Sequence, residues 1–237
     1  MKTILISALF LFFFTGIFAQ YPIEKYPAIK YDTVNIKHGE DKRAEGFTGI
    51  ARYKDYEIKF LGSQLSDSSN ILLYHKGRVI KKIKLEVDIA NIFLTSPIFI
   101  ADIDGNGLLD FKIDMPNDGS GNAANYETKI YLFNKGSNRF DAFSFYDLFS
   151  NLERDIDHDG SYEIIGQVYH RYRGHAYYVF DLYSYRKGKL SNVSSKFSYP
   201  IAVQYLWEPT YIKTNKIPTK VLKKLSAKNP TYLTWYK

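Results

Sequence analysis

The chain has no cysteine. That excludes a disulfide framework, a cysteine nucleophile and a lipid-modified N-terminal cysteine. The five histidines show no H-E-x-x-H spacing, and no G-x-S-x-G turn occurs, so two common catalytic signatures are missing. Long helical periodicity is absent as well. After the first twenty residues no apolar run is long enough to cross a bilayer as a helix.

The first twenty residues, MKTILISALFLFFFTGIFAQ, are the exception. A lysine precedes an apolar run from Ile4 to Ala19 that is too short for a comfortable span. Residues 1–19 read as a secretory signal cut before Gln20, with an uncleaved anchor as the alternative. The protein is then exported, to the periplasm or beyond the cell, and meets the membrane only during export. The rest, residues 20–237, is long enough for a single domain with a sizeable core. Without disulfides, that core and any bound ions must hold it together.

The net charge is +7. For an exported chain this points to anionic surface polymers or an acidic protein partner, not to nucleic acid. The lysines are scattered and mark no single patch.

Short runs of β-branched and aromatic residues predict strands over Glu57–Leu61, Ile71–Tyr74, Val79–Leu85, Thr128–Phe133, Tyr162–Tyr169 and Tyr177–Tyr185. Glycine, asparagine and aspartate fall between them. Three segments, ILLYHKGRVIKKI, IYLFNKGSNRFDAF and LYSYRKGKLSNV, share one plan: strand, Lys-Gly turn, strand. Gly77, Gly136 and Gly188 suit the positive φ of such turns. The recurrence at roughly 50–60 residues suggests blade-type units. Residues 20–46 form a lead-in, expected to pack as a strand or stay partly mobile. Residues 217–237 form a C-terminal helix and tail, with the helix from Thr219 to about Ala227. The fold class read from these signals is all-β: an incomplete, propeller-like array of hairpins with a short C-terminal helix.

Two aspartate loops stand out, DIDGNGLLD and DIDHDGSYE. Calcium takes six to eight oxygen ligands, and a tight loop can aim alternate side chains at one centre. In the first loop positions 1, 3, 5, 7 and 9 are Asp102, Asp104, Asn106, Leu108 and Asp110. In the second they are Asp155, Asp157, Asp159, Ser161 and Glu163. Position 7 would offer its backbone carbonyl, and glycine at position 6 allows the bend. The last carboxylate stands at position 9, not at the position 12 of an EF-hand, and a strand follows each loop. His158 falls at an outward position. The alternative is a pair of ordinary polar turns with solvated acids.

The loops resemble the calcium loops of FG-GAP or integrin α-type propeller repeats, D-x-D-x-D-G-x-x-D. The chain departs from that family in having two loops and no clear Phe-Gly…Gly-Ala-Pro segment. It more closely resembles small exported bacterial proteins with an incomplete propeller-like calcium-binding fold, over roughly Ile71 to Val193. Some of those are immunity proteins that block cell-wall hydrolases. The resemblance implies a protein that binds calcium and a hydrolase and is not an enzyme. It places Gly174 and Tyr178 of a Gly-x-x-x-Tyr pattern in an inhibitory loop, the tyrosine entering the hydrolase cleft; read from the residues alone, the same segment is a loop glycine followed by strand aromatics. The surrounding HRYRGHAYY adds Arg171, Arg173 and His175 as partner-binding candidates. The alternative partner is a cell-surface glycan. The loop Asn117–Asn125, rich in glycine and asparagine, is a further recognition candidate.

Overall fold

The structure is a computed structural model that describes residues 23–41, 46–63, 69–85, 96–116, 126–148, 152–204, 212–213 and 217–237. The expected signal segment, residues 1–19, and the loop 117–125 lie outside the described residues. Among the described residues no helix is long and apolar enough to cross a membrane.

The fold is all-β apart from one short helix, as expected. After an edge strand β1 (Asp32–Val34), five strands form a simple antiparallel meander: β2 (Lys37–Asp41), β3 (Gly46–Tyr53), β4 (Tyr56–Ser63), β5 (Ser69–His75) and β6 (Arg78–Leu85). The second sheet contains β7 (Ile98–Ala101), β8 (Asp110–Pro116), β9 (Glu127–Asn134) and β10 (Phe140–Asp147), in order. It is flanked by β1 on one edge and by β16 (Thr231–Tyr236) on the other. The third sheet is built on the long hairpin β11 (Ile164–Tyr172) and β12 (His175–Arg186), with β13 (Lys189–Asn192), β14 (Ile201–Gln204) and β15 (Ile212–Lys213). Among the described residues no barrel closes.

The strand pattern explains the stacking. In the middle sheet Ile113, Ile130, Leu132 and Ala142 face the first sheet, where Phe60, Ile71 and Leu73 meet them. The alternate residues Tyr131, Phe133, Phe143 and Phe145 face the third sheet and pack with Ile164, Tyr183 and Tyr185. Both faces of the middle sheet are therefore covered, which is why β8 and β9 are buried along most of their length. The rings form a continuous stack, with Phe133 and Tyr185 centroids 3.8 Å apart.

The Lys-Gly turns form as expected. Lys76-Gly77 and Lys187-Gly188 both have positive φ at the two central residues, the conformation that matches strand twist in a two-residue hairpin. The lead-in packs as strands, one of its two expected states: β1 and β2 lie in it, and Ile23, Ile29 and Ile36 are buried. The C-terminal tail holds a strand that was not expected. The helix α1 (Thr219–Leu225) stops at Leu225, and the residues beyond Pro230 add β16 beside β10. Tyr232, Trp235 and Tyr236 lie in that strand; its signal is short and falls just after a proline.

The centre of the molecule holds charge. Lys112, Asp114, Lys129, Asp147 and Glu153 are each at most 3% exposed. Lys112 Nζ lies 3.0 Å from Glu153 Oε1 and 3.5 Å from Asp114, and Lys129 lies 2.6 Å from Asp147. Tyr31 and Tyr131 donate their hydroxyls to the two oxygens of Glu153, each at 2.5 Å. Lys112 also sits over the rings of Tyr31, Phe99 and Tyr131. Burial, with Glu153 beside them, lifts both phenols well above their usual range, so they remain neutral donors. Burial opposes the Glu153 charge, yet Lys112 and the two phenols hold its carboxyl below the ordinary range.

Breaking one partner of a buried charged pair strands the other. Glu153→Ala is expected to cost about 3–5 kcal/mol in denaturant unfolding. A loss under about 1 kcal/mol would show that the fold does not rely on this network.

Candidate metal centre

The first aspartate loop connects β7 to β8 within the middle sheet, and the Ala101–Asp110 pair closes it. The second lies before β11 and is closed by the Arg154–Glu163 bridge. Arg154 also bridges Ala28, just as β7 pairs β1. The two loops thus occupy equivalent places in successive sheets.

The equivalence extends to atoms. In the first loop Asp102 Oδ1 accepts from Asn106 N–H (2.9 Å) and Oδ2 from Gly107 N–H (2.7 Å). In the second Asp155 Oδ1 accepts from Asp159 N–H (3.1 Å) and Oδ2 from Gly160 N–H (3.2 Å). Position 5 caps position 7 in both: Leu108 N–H donates to Asn106 Oδ1 (2.8 Å), and Ser161 N–H to Asp159 Oδ1 (2.9 Å). The closing carboxylates accept from position 2, Ile103 N–H to Asp110 (2.8 Å) and Ile156 N–H to Glu163 (3.1 Å).

The loops also touch. Tyr162 N–H donates to the Ile103 carbonyl at 2.9 Å. Gly105 has φ +71°, and a Cβ there would come within 3.0 Å of the Gly160 carbonyl oxygen. Only glycine meets both demands without a shift.

Carboxylate oxygens of Asp102, Asp104 and Asp110 all lie within 4.8 Å of one another, and so do those of Asp155, Asp157 and Asp159. Position 9 completes the first cluster but not the second. There Glu163 stands outside the triad, while Asn106 adds an amide in the first loop. His158, between Asp157 and Asp159, is exposed.

The two loops differ in their neighbours. Arg186 forms an ion pair with Asp159 and also reaches Ser184 Oγ at 3.2 Å. That guanidinium compensates the second cluster and would compete with an added cation. Among the described residues no ion pair reaches Asp102, Asp104 or Asp110. The first cluster therefore lacks the counter-ion that the second has. Nothing in the local spacing of DIDHDGSYE signals Arg186, because it arrives from β12.

Burial raises the Asp110 carboxyl to about 8, against its two backbone hydrogen bonds and with help from Asp104 and Asp102. Burial likewise raises Glu163 to about 7, with Asp157 and Asp159 adding to it. These are groups that hold a proton near neutrality unless a cation replaces it.

The partner-binding candidates lie at the far end of the third sheet. Arg173 (φ +48°) and Gly174 (φ +79°) form the two-residue turn between β11 and β12. Arg171, Arg173, Gly174 and His175 are exposed. His175 Nδ1 is 3.3 Å from Gln204 Nε2, and Arg173 lies over the Tyr172 ring. Tyr178 is a strand aromatic of β12, not a residue of the hairpin tip as the resemblance implied. It is 8% exposed and packs with Phe180, Leu182, Ile201 and Val203. Its side chain shares the inward face of β12 with 180 and 182, as the period of two requires. Its cross-strand neighbour Tyr169, 42% exposed, holds the surface position instead.

Comparison with protein-family models, curated proteins and solved structures gives no match.

Two outcomes are expected. Without a divalent cation the melting temperature should fall as pH rises from about 4 to about 8. In that window the folded protein keeps a proton on Asp110 that the unfolded chain releases. Calcium should remove the fall, and a flat profile without calcium would contradict this assignment. Arg186→Ala should tighten calcium binding at the second loop by about tenfold or less, as suits an exposed pair; calorimetric titration measures it.

Proposed function

We propose that this is an exported, calcium-stabilised binding protein. The aspartate loops serve as its ion sites, and the β11–β12 hairpin engages an acidic protein surface, such as the cleft of a cell-wall hydrolase. The resemblance to FG-GAP repeats and to hydrolase-blocking immunity proteins rests on the loops, the hairpins between them and the segment Gly174–Tyr178. What supports the calcium part is the duplication: two loops, in equivalent places, repeat the same set of backbone-to-carboxylate bonds. A polar turn would need no such repetition.

What supports the hairpin part is its reach. β14 pairs with β12 only from Tyr177 to Phe180. Beyond that the two strands pair only with each other, among the described residues, and carry His170, Arg171, Arg173 and His175 outward. Arginine beside tyrosine is the composition of binding hot spots. The ion sites lie at the other end of β11, roughly 30 Å away for a nine-residue strand. Calcium would hold the scaffold and take no part in contact with the partner.

If calcium does hold the scaffold, chelation should lower the melting temperature and added calcium restore it. The joint change Arg171→Ala/Arg173→Ala should weaken hydrolase binding about 10–100-fold and leave the melt unchanged. Tyr169→Ala should act in the same direction. Tyr178→Ala should instead destabilise the fold by about 3 kcal/mol, as removal of a buried ring does. Full inhibition by the double arginine variant would dismiss the hairpin as the contact.

A further inference from the structure

A separate cleft, of about 800 Å³, opens between β14, the 3-10 turn Ser194–Phe197 and helix α1. Neither the aspartate loops nor the hairpin tip lines it. Its size falls within the range of small-molecule sites.

The floor is built on Asp181, a β12 carboxylate only 2% exposed. Its Oδ1 accepts from Asn192 Nδ2 (3.0 Å), Ser194 Oγ (2.8 Å) and Ser226 Oγ (2.6 Å), and its Oδ2 accepts from Ala227 N–H (3.0 Å). Asn192 also donates to the Ala227 carbonyl at 2.6 Å. These bonds tie the segment after α1 to the third sheet and fix the width of the cleft. The floor is thereby preorganised, and its polar groups are already engaged.

The rim differs. Ser195, Ser198, Thr219 and Lys223 line the opening and are exposed. Ile217 and Leu222 form an apolar wall between them. Lys223 is the single charged group among the described lining residues, and no carboxylate accompanies it. Hydroxyls on two sides, an apolar wall and one unopposed ammonium match a particular chemistry. A pyranose can lay its C–H face on the wall and bond its hydroxyls to the serines and threonine. One carboxylate would answer the lysine.

We propose that this cleft binds a short acidic saccharide, a sugar of one or two rings bearing a carboxylate. The site is independent of the hairpin reading, and it assigns the molecule a glycan contact as well as a protein one.

The test uses the full chain in calcium. A disaccharide of N-acetylglucosamine and glucuronic acid is titrated by calorimetry against neutral di-N-acetylchitobiose. The acidic sugar should bind with one-to-one saturation, about tenfold more tightly than the neutral one. Lys223→Ala should erase that preference. Thr219→Ala and, from the opposite wall, Ser195→Ala should weaken both sugars several-fold. All three residues are exposed, so the melting temperature should hold in each variant. The double hairpin variant should bind sugar normally. Absence of saturable binding, equal affinity for the two sugars, or a preference that survives Lys223→Ala would each overturn the proposal.

Discussion

The carboxylate of Glu153 joins parts of the chain that are far apart in sequence. One oxygen takes a hydrogen bond from Tyr31 of the lead-in and the other from Tyr131 of β9. Lys112 of β8 supplies the counter-charge. Removing a carboxylate from water is costly, and only a nearly complete set of partners offsets it. The lead-in, the middle sheet and the connector before the second loop must all arrive correctly for that set to exist. A misplaced register would leave a charge in the core, so the network opposes alternative packings as well as stabilising this one.

From that centre the two ends of the third sheet take different roles. At one end the aspartate loops press together across Gly105 and Gly160, and their carbonyls and amides interlock. At the other end the hairpin leaves the sheet behind. The rigid, ring-stacked interior between them lets a fixed scaffold present a narrow cationic tip. Calcium in the loops and a partner at the tip would thus act on the same strand, β11, without sharing a residue.

Much of this was legible in the sequence because it is local. The aspartate spacing, the Lys-Gly turns and the aromatic strand runs all lie within a dozen residues of themselves. What could not be read depends on who lies opposite. Lys112 and Asp114 alternate with apolar residues in DFKIDMP, the usual pattern of a strand with one wet face. What covers Lys112 on that second face comes from distant segments, Tyr31 of the lead-in and Glu153 of the connector. Tyr178 read as exposed for the converse reason: a tip glycine four residues earlier says nothing about which face of β12 is covered. Arg186 was hidden by distance in sequence, although it bears directly on the second loop. The strand β16 was missed because six residues after a proline give too short a pattern to distinguish strand from tail.

The place of β16 carries a consequence for how the protein must be made. Strands β7 to β10 of the middle sheet follow one another in the chain, yet its far edge is closed by the distant Thr231–Tyr236. Without those residues β10 would present a row of open backbone donors and acceptors. Such an edge invites pairing with another chain. About 80 residues of sequence separate the end of β10 from the strand that closes its edge. Without that strand, protection of the edge must come from outside the strand order itself.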